Sequence, residues 1–456
     1  MDEETLEEET EKKNLESLRG IIGSKDPDAL SAFFDSQNPV DFAHTAAELD
    51  EEELKELTPL LDDDELASLM EESEDDERIR IARTLDNKRL LTAFEYMQKD
   101  DIVDMLGDFP IGRRKEVINL MKADDRRIIN TLLRYPEDSA GGLMTTAYIA
   151  LREKLSVSSG LDKIREIGPK TEVIETIFVI NDCRQLIGWC DLRDLLAAPK
   201  DRHLSDIMHD KVISVAPETD QEETAHIVSK YDLDALPVVS RTNQILGIIT
   251  VDDVIDVIVQ EYDEDILQMG GVSKEENIDT SLAESIKMRL PWLLVNLLTA
   301  FLASYTVKSF EDTIAKVVAL SAIMTIVSGM GGNAGTQTMS ILVRELSQKN
   351  LKFSDCIRPF LKEIALGVVN GAATGAVTAV VVYFMYGNAF LGMITLMAMI
   401  GNLVVAGVCG FLVPVVLKKI HADPAIASSI FVTTATDVLG FFIFLGLANV
   451  FLRYLI

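Results

Sequence analysis

The sequence predicts a multi-domain membrane protein in four parts: an acidic α-helical N-terminal solenoid over 1–137, an α/β tandem repeat over 138–265, a connecting helix over 266–288, and an all-α five-helix transmembrane domain over 289–456. Three observations carry that reading. Apolar runs dominate the last third, and five of them reach the ~20 residues that cross a hydrocarbon core ~30 Å thick. Strand and helix patterns recur once, in the same order, within 138–265. Charge is split: residues 289–456 hold 11 basic and 7 acidic side chains, while 1–288 hold 32 and 67, within a net charge of -31.

Taken in order, residues 1–20 are acidic and poor in large apolar side chains, a frayed or loosely helical lead. No basic stretch followed by an apolar one stands near Met1, so the first span is expected to act as its own insertion signal. From about 28 to 135, Leu and Met recur at three- to four-residue spacing, as in Leu90, Leu91, Phe94 and Met97, the mark of short amphipathic helices. Met97 precedes Asp100-Asp101 and Met121 precedes Asp124-Asp125, a shift of 24 residues that suits stacked helical hairpins. An acidic surface of this extent attracts cations and repels phosphates, which argues against a nucleic-acid partner. Solubility alone would also account for it. Cys183, Cys190, Cys356 and Cys409 form no CxxC pair, so neither a disulfide scaffold nor a zinc site is expected.

Residues 138–265 read as strand and helix in alternation. Gly142-Leu-Met144 leads to the strand Ile177–Ile180, then Leu186-Ile-Gly188-Trp189 and a helix over 191–196. Asp206-Ile-Met208 leads to Val212-Ile-Ser-Val215, a helix over Gln221–Tyr231, Ala235-Leu-Pro-Val-Val239, and Leu246-Gly247-Ile-Ile-Thr250. The two Met residues lie 64 apart and the two Gly 59 apart. This order resembles a tandem pair of CBS modules, which implies a ligand-sensing pair and not a catalyst.

Spans are expected near 291–308, 314–343, 358–386, 391–418 and 425–453. An odd number puts the termini on opposite sides. Lys287, Arg289, Arg344, Lys349, Lys352, Arg358, Lys362, Lys418 and Lys419 cluster on one side, and the positive-inside rule makes that side the cytosol. The acidic N-terminal part is then cytoplasmic and the C-terminus lies outside an inner (plasma) membrane.

Asp437 sits near the middle of the fifth span. Placing a carboxylate there costs about 2.5–3.5 kcal/mol on insertion scales, so such residues usually line a path or meet a partner. Thr433, Thr434 and Thr436 add oxygens nearby. A protonated Asp bonded to a neighbouring helix is the plainer alternative. The second span contains Gly329-Met-Gly331-Gly332-Asn333-Ala-Gly335-Thr-Gln337, and four glycines this close weaken a helix by about 1 kcal/mol each. An irregular segment whose carbonyls help bind a hydrated cation is expected there; close helix packing is the alternative. For Gly367, Gly371 and Gly375 in span three, close packing is the better reading.

Arg289-Leu-Pro-Trp-Leu293, Gly331-Gly-Asn-Ala-Gly335-Thr-Gln337, Asp423-Pro-Ala425 and Thr433-Thr-Ala-Thr-Asp437 together resemble the membrane domain of the MgtE family of magnesium transporters. The order of all four parts resembles that family along nearly the whole chain. One position departs: Thr325 stands where family members often carry Pro. The resemblance implies a homodimer in a lipid bilayer, with a Mg²⁺ pore at spans two and five. Asp437, Gly331, Gly332, Asn333, Thr433 and Thr434 would serve it, and the two Asp437 carboxylates would meet across the dimer axis. Mg²⁺ is usually held through water by one or two carboxylates. The resemblance also implies that cytosolic Mg²⁺ bridges the acidic lobes and closes the pore. The sensor ligands it points to are Asp220, Glu222, Asp232, Asp253, Asp256, Glu261, Glu264, Asp423, Asp100 and Asp104, with one bridging ion shared by Asp232, Glu264 and Asp423. Thr250 and Asp253 have the spacing to hold a ribose, so ATP is a second candidate ligand. No enzymatic activity is expected. A broader Mn²⁺ or Co²⁺ carrier, an intramembrane aspartyl enzyme and a membrane-anchored sensor are the competing readings.

Overall fold

The structure, a computed structural model, describes residues 3–168, 171, 173–273, 276–278, 280–348, 356–420 and 424–456. It divides into two compact units, Met1–Val257 and Ile258–Ile456.

The first unit opens with helices α1 (Glu3–Ser24), α2 (Pro27–Asp35), α3 (Pro39–Ala47), α4 (Glu51–Leu57), α5 (Asp63–Glu71) and α6 (Asp75–Thr84). Four more follow: α7 (Asn87–Ala93), α8 (Lys99–Asp108), α9 (Ile111–Leu120) and α10 (Ala123–Leu132). From α3 onward each helix packs on the one two places along, the stacking expected of a solenoid. The 24-residue repeat marks two equivalent helix starts, with Met97 and Met121 buried just ahead of α8 and α10. The lead is more ordered than expected: α1 is a 22-residue helix that buries Leu18 and Ile22.

Part of the acidity is structural. Asp50 and Asp62 each close a capping box with the Glu three residues on, and Asp26 and Asp86 cap α2 and α7. Each such cap contributes about 1 kcal/mol. Arginines do the complementary work at carbonyl ends. Arg113 donates to the carbonyls of Ala82 (2.7 Å) and Leu85 (3.1 Å), and Arg80 to that of Ala47 (3.2 Å). Carbonyls at helix C-termini carry the negative end of the helix dipole and have lone pairs to spare, as at Ala82, which also accepts from the Leu85 N–H.

The α/β part has β1 (Ala150–Arg152) parallel to β2 (Thr176–Ile180), which pairs antiparallel with β3 (Leu186–Asp191). Then α13 (Gln221–Tyr231) leads to β4 (Ala235–Val239), antiparallel to β5 (Ile245–Thr250); α11 (Val157–Ile167) connects β1 to β2, and α12 (Leu192–Ala197) follows β3. Ahead of α13, Val215 makes one parallel bridge to Val238 of β4. The repeats clip each other crosswise: Thr145 bridges Ile248 in β5, and His209 bridges Trp189 in β3. That crossing needs both glycines. A Cβ on Gly247 would lie 2.5 Å from the Thr145 carbonyl, and one on Gly188 would lie 2.7 Å from Met208 Sδ.

The expected connecting helix over 266–288 is divided. Helix α14 (Val251–Met269) stops at Gly270-Gly271, and α15 (Leu282–Lys308) begins after an intervening segment. Gly271 takes a left-handed backbone (φ 74°) against the Trp292 indole, and Glu276, nearly fully buried, pairs with Arg289 at 2.7 Å. Gly271 and Glu276 thus each contact the first turns of α15.

After α15 come α16 (Glu311–Lys316), α17 (Ala319–Gln348), α18 (Ile357–Tyr386), α19 (Ala389–Lys419), α20 (Pro424–Val450) and α21 (Leu452–Leu455). Among the described residues, α15, α18, α19 and α20 are long and apolar enough to cross a membrane. At 30 residues α17 is long enough, but its Gly, Ser, Thr, Asn and Gln lower its hydropathy. Helix α19 is the hub, burying Ile394, Ala398, Met399, Leu403 and Ala406 against α17, α18 and α20. Gly367 and Gly371 let the α18 backbone approach within van der Waals reach of Leu403 and Ile400, as close packing predicts.

Candidate functional site

Helix α17 runs unbroken through its glycines, so the irregular segment expected there is not found. Neighbours explain why the helix holds. Asn402 of α19, fully buried, donates from Nδ2 to the Val327 carbonyl at 2.7 Å. A Cβ on Gly331 would lie 2.2 Å from that amide nitrogen, and one on Gly440 of α20 would lie 2.7 Å from Oδ1. Gly331 is therefore a notch for a polar wedge between α17 and α20, and its carbonyl belongs to a continuous helix. Gly335 is a second notch, facing Val432. The glycines that looked like unwound backbone are, at these two positions, contact surfaces.

The other face of α17 is open. Thr325, Gly329, Asn333 and Thr336 follow one another at four- and three-residue spacing, share a face, and are exposed. Gly332 flanks them, with nothing within 4 Å of a Cβ built on it. Thr325 donates to the Ala322 carbonyl at 2.8 Å and leaves the helix regular; a Pro there would remove a backbone donor and kink it. Exposed polar side chains on a spanning helix need water or another protein surface, because lipid offers no hydrogen bonds.

Asp437 lies beside this face, half-buried on α20, and accepts a hydrogen bond from the Ser328 hydroxyl of α17. Thr433 donates to the Ser429 carbonyl (2.8 Å), Thr434 to that of Ile430 (2.6 Å) and Thr436 to that of Thr433 (2.9 Å). Their hydrogens are committed to the helix, which leaves their oxygens as acceptors. The sequence reading missed three residues here. Ser328 and Asn402 are ordinary polar residues until their neighbours are known. Glu363, in the second turn of α18, is a further half-buried carboxylate, accepting from the buried Thr338 at 2.9 Å.

The second candidate region lies in the first unit, where α8 meets the start of α14. Thr145 hydrogen-bonds the Asp100 carboxylate, whose Oδ1 is buried without a partner. Burial and the neighbouring Asp100 charge push Asp101 up to about 8. Asp104 opens to solvent at the rim, yet the protein packed around it, together with Asp100, raises it to about 7. Asp253 rises to about 6 through burial and the charges of Asp100 and Asp252, against a hydrogen bond from Thr250 (2.5 Å). Asp253, far from Asp100 in sequence, is brought to it, while Asp104 lies one turn along α8 from Asp100; Glu71, Asp101 and Asp252 join Asp100 and were not anticipated.

The remaining candidates lie elsewhere along the chain. Asp220 caps α13, accepting from the Glu222 N–H at 2.9 Å, and Asp232 ends the same helix in the left-handed region (φ 51°). Asp256 lies on α14 in the first unit, Glu261 and Glu264 in the second, where Glu264 accepts from Gln268. Asp423 lies outside the described residues, so the shared bridging ion is not described either. Among the described residues no three His, Cys, Asp or Glu side chains converge at metal-binding distance. The α8–α14 cluster still fits a hard divalent ion: its donors are all oxygen, its carboxylates outnumber the one arginine beside them, and one buried oxygen is orphaned. Mg²⁺ held partly through water does not need three direct carboxylates.

Comparison with known proteins gives a consistent pattern. A family model for MgtE, described as a divalent cation transporter, matches residues 324–447. A model for the MgtE intracellular N domain matches 37–138, and one for the CBS domain matches 204–260. The chain is 33% identical over 363 residues to the magnesium transporter MgtE of Bacillus subtilis (strain 168), covering 80% of each chain. It is 34% identical over 338 residues to that of Thermus thermophilus, covering 74% of this chain and 75% of the relative. Among solved structures, the cytosolic domain of the Mg²⁺ channel MgtE in complex with ATP is 33% identical, with a TM-score of 0.51 over 53% of this chain and 99% of that one. The soluble part of a magnesium transporter is 26% identical, with a TM-score of 0.52 over 55% and 99%.

Proposed function

Because the chain belongs to the MgtE family of divalent cation transporters, we propose that it carries Mg²⁺ across a membrane along the polar face of α17 and the Asp437 turn of α20. The observation that carries this reading is the exposed stripe Thr325, Gly329, Asn333 and Thr336 beside an intramembrane carboxylate. A second copy of the chain facing that stripe would enclose it and bring two Asp437 carboxylates to one axis. A hydrated divalent cation there would compensate both charges. The hydroxyl oxygens of Thr433 and Thr434 and the side chain of Asn333 would receive its water shell. Gly332 would leave the width that a hydrated ion needs. Gly331 acts one layer back, by admitting Asn402.

In this reading the acidic first unit is a cytoplasmic sensor and the C-terminus is extracytoplasmic. Without divalent ions, the carboxylates of α8 and those at the start of α14 repel. Mg²⁺ between Asp100, Asp104 and Asp253 would draw the two elements together, and α14 leads through the Gly270–Ser281 segment to α15. Asp220, Glu222, Asp232, Asp256, Glu261, Glu264 and Asp423 remain proposed outer ligands of the same sensor. Thr250 and Asp253 are already hydrogen-bonded to each other, so a nucleotide ribose would engage a preformed pair and compete with an ion for Asp253.

The test is ion flux into vesicles carrying the purified chain. Mg²⁺ influx that Mn²⁺ and Co²⁺ fail to block is expected. Equal block by those ions favours the broader carrier, and no flux at all removes transport in favour of a membrane-anchored sensor.

A further inference from the structure

Helix α6 places Arg78 at the edge of the acidic cluster, and the arginine is only 9% exposed. Its Nη2 donates to the carbonyls of Glu71 and Ser73, each at 3.2 Å. Its Nη1 lies 3.8 Å from Asp75 and 3.9 Å from Asp101. Its Nε is buried without a partner. Backbone carbonyls thus fix the guanidinium, while the carboxylates stand at ion-pair distance and keep their lone pairs for another ligand. Arg78 is also the cation that opposes the rise in Glu71, Asp101, Asp104 and Asp108. A guanidinium cannot lose its proton at any physiological pH, so this charge is permanent.

We infer that Arg78 is a tethered cation that competes with Mg²⁺ for the carboxylates of α8 and so sets the Mg²⁺ concentration at which the sensor closes. The inference rests on the sensor reading above and deepens it. A divalent ion entering beside Asp101 and Asp104 meets a fixed positive charge that two carbonyls prevent from leaving. Arg78 therefore favours the ion-free form and weakens Mg²⁺ binding, acting as a positioning residue through charge.

The test uses the full chain and Mg²⁺ alone, reading protection of the 1–288 region from limited proteolysis. For Arg78→Gln, the Mg²⁺ midpoint is expected to fall by about threefold or more, the size of one charge interaction in a partly solvated site. That difference should shrink as NaCl is added, which a loosened helix would not produce. Arg78→Lys keeps the charge and loses the fork to the carbonyls, and its midpoint should stay within about twofold of wild type. A midpoint for Arg78→Gln that is unchanged or higher overturns the inference. So does an Arg78→Lys shift of threefold or more, and this arm decides if Arg78→Gln does not fold. A wild-type curve that ignores Mg²⁺ overturns the sensor reading itself; a titrating wild type with an unmoved Arg78→Gln overturns only the role of Arg78.

Discussion

The carboxylates of the first unit make a pH prediction that their surroundings dictate. Asp101, Asp104 and Asp253 stand at about 8, about 7 and about 6, all above the ordinary 3.8. Between those values the folded chain holds protons that the unfolded chain has released, so stability without divalent ions falls as pH rises. The contribution is complete below about pH 4 and is lost progressively as the medium approaches the raised values. Ion-free protein should therefore melt at a lower temperature at pH 8.5 than at pH 6. Added Mg²⁺ replaces the lost protons, so it should raise the melting temperature more at pH 8.5. A melting temperature that climbs with pH in the absence of Mg²⁺ would contradict the crowding of these groups. The family resemblance pointed to Asp100, Asp104 and Asp253 alike, and the four-residue spacing puts Asp100 and Asp104 one turn apart on a helix. They could not place Asp253 against them, because that meeting depends on how α8 stacks on the α/β part.

Among elements, α17 separates what pattern reveals from what packing decides. Its glycines weaken an isolated helix, and the sequence reading of a break follows from that alone. The break is absent because Asn402 and Val432 fill the notches at Gly331 and Gly335, and tertiary packing outweighs propensity. Adjacent glycines should then respond differently to the same change. Gly331→Ala would put a Cβ 2.2 Å from an amide already bonded to Val327, and overpacking of this kind costs about 1–3 kcal/mol. Gly332→Ala meets nothing in its own chain, so its melting temperature in detergent should stay at the wild-type value while Mg²⁺ flux falls. If both variants melt like wild type, the wedge at Asn402 does not hold α17. The α18 glycines were legible because GxxxG spacing reports packing directly. Ser328, Asn402 and Glu363 were not, since a single polar residue in an apolar run shows nothing of its partner.

For the molecule as a whole, the order of parts was legible from charge, hydropathy and one internal repeat. The single connecting helix was not: Gly270-Gly271 divides it, and the Arg289–Glu276 pair holds the following segment on α15. The proposed coupling of sensor and pore predicts that the full chain conducts less as Mg²⁺ rises on the side of the acidic unit. A chain lacking residues 1–265 should keep its flux there. Equal inhibition of both would move the gate out of the acidic unit. The path itself is tested most directly by Mg²⁺ flux through Asp437→Ala in vesicles, with oligomeric state checked in parallel. The account predicts an assembled dimer whose Mg²⁺ flux is lost. An assembled dimer that conducts Mg²⁺ as the wild type does would contradict it.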